Sequence, residues 1–498
     1  MKQHSAPTVA MRTVRTARST AAASPPVRAG LATPRPSRLR SIPVEAASAA
    51  VSPAVSPATV PEAARDVVAC ACSVVVKTID AVNATISAIF PPTTPEPSAD
   101  TPLALMVLGW VRRQVEQVLA IPPIRAVVQA VSTVGAQLYN QLSACAEGVQ
   151  PPPVDFDRTT VVAGLSQPTD FRFLDDHLVV ITEKTGAIKL YDMNTPTVPP
   201  TTLVVIPVST AGERGVLGVE VDPDFSTAGG QLNGYLYVSY VTTDNLDRLS
   251  RIHVTDGVVD LSVDGTEKVL LQGTVAGASN HHGGEVRIGP DGMLYWALGE
   301  NGNRDNADDL SNIQGKILRL DPEDGSAPAG NPFLDDPDAV PQIYAYGLRN
   351  PFRFTFTPDG QLLAADVGEN TFEELNIIVA GGDYGWPGAE GVCTTCSTVN
   401  PIYTYAHSIG QSAAITSVLV YTGDTFGPDH QNKVFIADYT QGWIRELTFT
   451  ADFSEFVSER TFDADAGSTV KLMQGPDGNI YQLTISGELS RIAPKVTV

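Results

Sequence analysis

The chain has 498 residues, is rich in turn formers (41 Gly and 38 Pro), and carries 33 Lys and Arg against 55 Asp and Glu, for a formal charge of −22. Eight of the basic residues (Lys2, Arg12, Arg15, Arg18, Arg28, Arg35, Arg38 and Arg40) lie in the first 45, opposed there only by Glu45, so the rest of the chain is more acidic than the total. An acidic body repels phosphate backbones, which argues against nucleic acid as a partner, while carboxylate-rich loops suit calcium.

In chain order, residues 1–63 are Ala, Pro, Ser, Thr and Val with scattered Arg, a composition that cannot bury a core and is expected to be disordered. Two apolar stretches, 64–90 and 101–146, read as helices joined by the linker PPTTPEPSADTP at 91–102. Charged residues interrupt both (Arg65, Asp66, Lys77 and Asp80; Arg112, Arg113 and Glu116), so neither offers the roughly 18 consecutive apolar residues of a membrane span. Basic residues precede the first stretch, yet an ordinary signal peptide starts nearer Met1. For 1–155, an atypical export prefix and a helical accessory region both stay open.

From about residue 160 the chain repeats one plan: turn, alternating strand, polar loop, second strand. The segments are 173–192, 234–254, 290–320, 358–378, 430–447 and 476–492. Their strand cores begin near Val179, Tyr235, Leu294, Leu362, Val434 and Ile480, at spacings of 46 to 72 residues. Such a unit buries its apolar face only by stacking on its neighbours. Six of them predict an all-β domain over 156–498, a six-bladed β-propeller, with the disordered and partly helical region before it. Among the five cysteines, Cys393-Thr-Thr-Cys396 has the spacing of half a zinc site, a redox pair or a local disulfide. The disulfide is preferred, in an extracytoplasmic or secreted protein.

The stretch HHGGEVRIGPDGMLYWALGE (281–300) places paired histidines before two glycines, on a loop at the rim of a sheet. It occurs in order with ERGVLGVEVDPDF (213–225), GKILRLDPEDG (315–325), NPF (331–333), GLRNPFRFTFTPDG (347–360), DVGENTFEELNII (366–378) and GGDYGWP (381–387). Together these resemble the glucose/sorbosone dehydrogenase family of soluble quinoprotein sugar dehydrogenases. The same motifs are similar to the family's hedgehog-interacting-like branch, which keeps the propeller as a binding scaffold. The resemblance implies an aldose oxidised over pyrroloquinoline quinone (PQQ) and calcium, by hydride transfer from the anomeric carbon. It assigns the general base to His281, the wall to His282, and the quinone neighbours to Glu213, Glu300, Arg349 and Asn350. It assigns cofactor calcium to the main-chain carbonyls of Gly368 and Glu369. Part of a second calcium site falls on Glu374 and the carbonyl of Tyr384. The electron acceptor is not legible.

The chain also departs from the family. Glu300 stands where the family has Asp, and Glu213 where it has Gln. The Lys and two Arg that clamp the quinone carboxylates are replaced by Thr440, Ser468 and Val470. Lys471 follows directly, but strand alternation turns it the other way. A non-catalytic propeller that binds a protein or glycan is therefore the alternative reading. A propeller lactonase, with calcium in the central channel, is a second.

Overall fold

The computed structural model describes residues 155–274, 276–407 and 412–495. The helices expected within 1–155 lie outside them. The described chain forms six four-stranded antiparallel sheets. Five are built from consecutive strands. The sixth pairs Phe156–Ala163 with Glu488–Pro494, so the start of the described chain closes the last blade. The first strands of the blades, Pro168–Phe173, Val216–Val221, Val286–Ile288, Pro351–Phe356, Ile415–Tyr421 and Thr469–Gln474, line the centre. The ring closes where the last of these packs on the first. This is the expected six-bladed propeller. The strand cores read from sequence are the second strands, beginning at Leu178, Gly234, Leu294, Leu362, Lys433 and Ile480.

Local chemistry explains the recurring turns. In two of the three Pro-Asp-Gly turns the Asp carboxylate accepts an N–H two residues on, from Met293 to Asp291 (3.1 Å) and from Asn479 to Asp477 (3.1 Å). The Gly supplies a left-handed φ, 76° at both Gly292 and Gly478. The strands that follow alternate, and each apolar face meets the next blade. Leu363, Ala365 and Leu375 of blade four pack with Ile415, Val418 and Ile436 of blade five, and equivalent clusters fill the other joints. Each such Leu, Ile or Val side chain contributes roughly 1.5–3 kcal/mol on burial. Cys393 and Cys396 are joined by a disulfide.

Below the funnel the centre is closed by charge. Glu285, fully buried, accepts from Lys471 Nζ (2.5 and 2.6 Å) and Arg172 (2.8 Å), with Arg353 at 3.2 Å. Asp170 pairs with Arg172 (2.8 Å) and Lys471 (3.3 Å), and Glu220 with Arg172 (3.2 Å). These residues come from the innermost strands of five blades or their immediate approaches, and they form the floor of the site.

Candidate active site

A cavity of about 320 Å³ opens above this floor and is lined from every blade, by Thr169, Glu213, Gly283, Asn350, Thr416 and Val470 among others. His281 and Arg349 are not among its lining residues, but each is bonded to one, His281 to Glu213 and Arg349 to the Val367 carbonyl. The His281 backbone is pinned first. Its φ is +62°, a conformation a non-glycine residue rarely holds, and its N–H donates to Glu213 Oε2 (2.8 Å). Its carbonyl accepts from Asn301 N (3.0 Å). Gly299 permits that approach, because a Cβ there would lie 2.3 Å from the His281 oxygen.

The His281 ring is then oriented by three side chains. Nδ1 lies 2.7 Å from Glu300 Oε2, and Glu300 is itself buried and held by the N–H of Gly302 (2.7 Å). Nε2 faces Arg349 Nη2 (3.1 Å) and Asn280 Nδ2 (3.0 Å). A carboxylate on one side and two N–H donors on the other select one tautomer, with the proton on Nδ1 and the lone pair on Nε2.

Arg349 is fixed as firmly. Its Nη1 donates to the carbonyls of Val367 (2.8 Å) and Gly368 (2.6 Å), its guanidinium lies 5.5 Å from the Trp386 ring centre, and its Nε is buried without a partner among the described residues. Asp366 receives the N–H groups of both Arg349 (3.0 Å) and Asn350 (2.6 Å). The Asn350 side chain accepts from Gly283 N (3.0 Å).

The Gly368–Thr371 loop is held by Glu390. One carboxylate oxygen accepts the N–H groups of Glu369, Asn370, Thr371 and Phe372 at 2.7–3.3 Å. Burial alone would raise this carboxyl; the converging N–H groups outweigh it and hold it below the usual range. The Glu369 side chain pairs with Arg304. Glu374 is buried, opposite Asp366 in the sheet, and accepts from Gly391 N (2.5 Å) and Asn376 (3.2 Å). Burial, and then the Glu374 carboxylate, push Asp366 up to about 8. Neither carboxyl has an ion-pair partner among the described residues. The Tyr384 hydroxyl is engaged at the far end of the same strand, donating to Ile377 O (2.6 Å).

His282 lines the cavity but is fully buried. Its Nδ1 meets Asp247 (2.7 Å) and its Nε2 the Ala278 carbonyl (2.9 Å). Two acceptors require two ring N–H groups, so the imidazolium fits this position. Burial opposes the charge, but Asp247 prevails and the pKa is raised. A raised pKa stabilises the fold fully below the unfolded value, near 6.5, and this contribution is lost as pH rises through the folded value. Denaturant titrations of wild type and His282→Gln should therefore differ most at about pH 5 and converge at alkaline pH. A difference constant across pH would refute the charged assignment.

Of the departures, Val470 lines the cavity, and the Thr440 hydroxyl is spent on Ser412 O (2.8 Å) and Asp438 (3.0 Å). Ser468 is not among the lining residues, and Lys471 is bound in the floor. Sequence reasoning did not single out Asn280, Asp366 or Glu390. Asp366 opens the DVGENT motif and Glu390 follows YGWP, so both were adjacent to a visible signal.

Six blades around a mostly apolar cavity, with an oriented histidine and a fixed arginine beside it, are a framework for a small-molecule site. The model of the Glucose / Sorbosone dehydrogenase family matches residues 165–491, and the chain belongs to that family. It is 32% identical over 239 residues to the HIPL1 protein of Arabidopsis thaliana, a match covering 40% of this chain and 34% of that protein. It is 30% identical over 263 residues to quinoprotein glucose dehydrogenase B of Acinetobacter calcoaceticus, covering 48% of this chain and 53% of the other. The chain thus spans about a third and about half of these two relatives. The solved apo-form of the soluble aldose sugar dehydrogenase of Escherichia coli superposes with a TM-score of 0.60 at 26% identity, covering 68% of this chain and 100% of that one.

Proposed function

We propose that the chain is a quinoprotein sugar dehydrogenase that oxidises an aldose at its anomeric carbon, with His281 as general base. The observation that carries this reading is the imidazole itself: Glu300 fixes the Nδ1 hydrogen, and Nε2 presents its lone pair to N–H donors only. A sugar hydroxyl taking the place of Asn280 could give its proton to that atom. PQQ bound in the funnel would accept the hydride. Glu213 and Glu300 hold the base, Asn350 shapes the wall, and the Arg349 guanidinium can stabilise negative charge that develops beside it. The cavity is within the size range of small-molecule sites.

We assign cofactor calcium to the carbonyls of Gly368 and Glu369, on the loop that Glu390 holds; to take the ion the Gly368 carbonyl would give up its bond from Arg349. A second ion is assigned to Glu374 with the Tyr384 carbonyl. The buried Asp366–Glu374 carboxyls, without a cationic partner among the described residues, are the oxygen chemistry such an ion takes. The lactonase reading gains no support, because the carboxylates of the central channel are already neutralised by Arg172, Arg353 and Lys471. The Cys393–Cys396 disulfide fits a location outside the cytoplasm. Among the described residues no helix is long and apolar enough to cross a membrane.

The absent clamp favours one rival, a propeller that binds a ligand without turning it over. Two or three lost charge-assisted contacts, roughly 1.5–3 kcal/mol each, would weaken quinone binding by orders of magnitude. Calorimetric titration with PQQ, with and without calcium, followed by dye-linked aldose oxidation, separates the two. Calcium-dependent heat and sugar-dependent dye reduction are expected. Absence of both would favour the binding propeller instead.

A further inference from the structure

The charged residues that line the funnel are Lys184, Glu213, His282 and Arg353. Three of them are committed. Glu213 holds the His281 N–H, His282 is bound to Asp247, and Arg353 is tied to Glu285 and to the Thr169 carbonyl (2.5 Å). Lys184 is different. Its ammonium donates to one main-chain carbonyl, that of Thr210 at 3.0 Å, and it has no ion-pair partner among the described residues. Lys184 lines a mostly apolar cavity, and its ammonium, solvent-exposed at the Thr210 bond, has donors to spare.

Its direction is set by the fold. The Lys184 N–H donates to Gln167 O (3.0 Å) and its carbonyl accepts from Val216 N (3.3 Å), which fixes the backbone between blades one and two. Gly215 leaves room for the stem, since a Cβ there would lie 2.7 Å from Lys184 Cγ. Lys184 therefore lines the same cavity as Val470 and Ile485 of blade six, where Val470 stands at one of the clamp positions the resemblance expects.

We infer that Lys184 is the carboxylate-binding cation of this funnel, pairing with a carboxylate of the quinone in place of the clamp lost at Thr440, Ser468 and Val470. This rests on the quinone reading above. The cation has moved from the blade-five and blade-six loops to the turn after the second strand of blade one. An anionic sugar would offer the same carboxylate chemistry, so the test must tell the two sources apart.

The test is a titration of the full chain, with calcium, using PQQ and its trimethyl ester as probes, for wild type, Lys184→Ala and Lys184→Arg. Lys184→Ala should weaken PQQ binding roughly 10- to 100-fold, the range for one charge-assisted contact. Lys184→Arg should recover part of it, and the triester should bind all three proteins alike. Thermal unfolding should not move, because only one hydrogen bond to Thr210 is lost. Unchanged PQQ affinity in Lys184→Ala, or an equal loss for the triester, overturns the assignment while leaving the quinone reading intact. So does unchanged PQQ affinity with a raised KM confined to acidic sugars, which would place the carboxylate on the substrate. Wild type that binds no quinone removes both readings together.

Discussion

His281→Asn should lower kcat/KM for dye-linked aldose oxidation by roughly 10²–10⁴-fold, the usual contribution of a positioned general base. Asparagine is a better probe than alanine here. The His281 backbone sits at φ +62°, where Asn is tolerated and other side chains are strained, so the variant isolates loss of the base from backbone strain. The loss should appear in kcat and kcat/KM alike, because a proton acceptor acts in the transition state rather than in sugar binding. Quinone affinity should stay within a few-fold, and thermal unfolding should change little. Glu300→Gln should give a smaller loss, since an amide oxygen can still accept from Nδ1 but no longer favours the charge that the ring acquires. Activity of His281→Asn within ten-fold of wild type would exclude His281 as the base. A loss confined to KM would make it a binding residue.

The blades were legible because their signals are local. Pro-Asp-Gly fixes a turn within four residues in three of the six units, and alternation fixes the buried face of a strand. The histidine loop was legible for a related reason: two glycines after His281 and a glycine at 299 mark close backbone approaches. The supports of the site were hidden because they are contacts across sequence distance. Glu390 reaches back 18 to 21 residues to hold the Gly368–Thr371 loop, and Asp366 holds the backbone of Arg349 and Asn350 from the next strand. Lys471 was expected to turn away from the clamp position at Val470, and it does. A register shift between Thr469 and Lys471 accompanies the change, leaving Val470 in the funnel wall. Its destination, a carboxylate 186 residues earlier, has no local signal at all.

That carboxylate gives the second large effect. Glu285→Ala should destabilise the propeller by about 3–5 kcal/mol, read as a lowered denaturant midpoint with an unchanged slope. Glu285 has no exposed surface and meets Lys471, Arg172 and Arg353 together, so its removal strands cations where water cannot reach them. Burial alone would raise the Glu285 carboxyl; Lys471 and then Arg172 hold it below the usual range. A lowered pKa stabilises the fold above the unfolded value and is lost as pH falls through the folded one, so wild type should lose stability below about pH 4 more steeply than the variant. Removing a matched charge should cost less than removing one alone. Glu285→Gln with Lys471→Met should therefore be more stable than Glu285→Gln, a sign that additive contacts would not produce. The floor also carries the funnel, through the Arg353 bonds to the carbonyls of Thr169 and Val470. Glu285→Ala should consequently weaken quinone binding even at temperatures where the protein stays folded. If it binds quinone normally and unfolds at the wild-type midpoint, the central charges neither hold the blades together nor set the floor of the site.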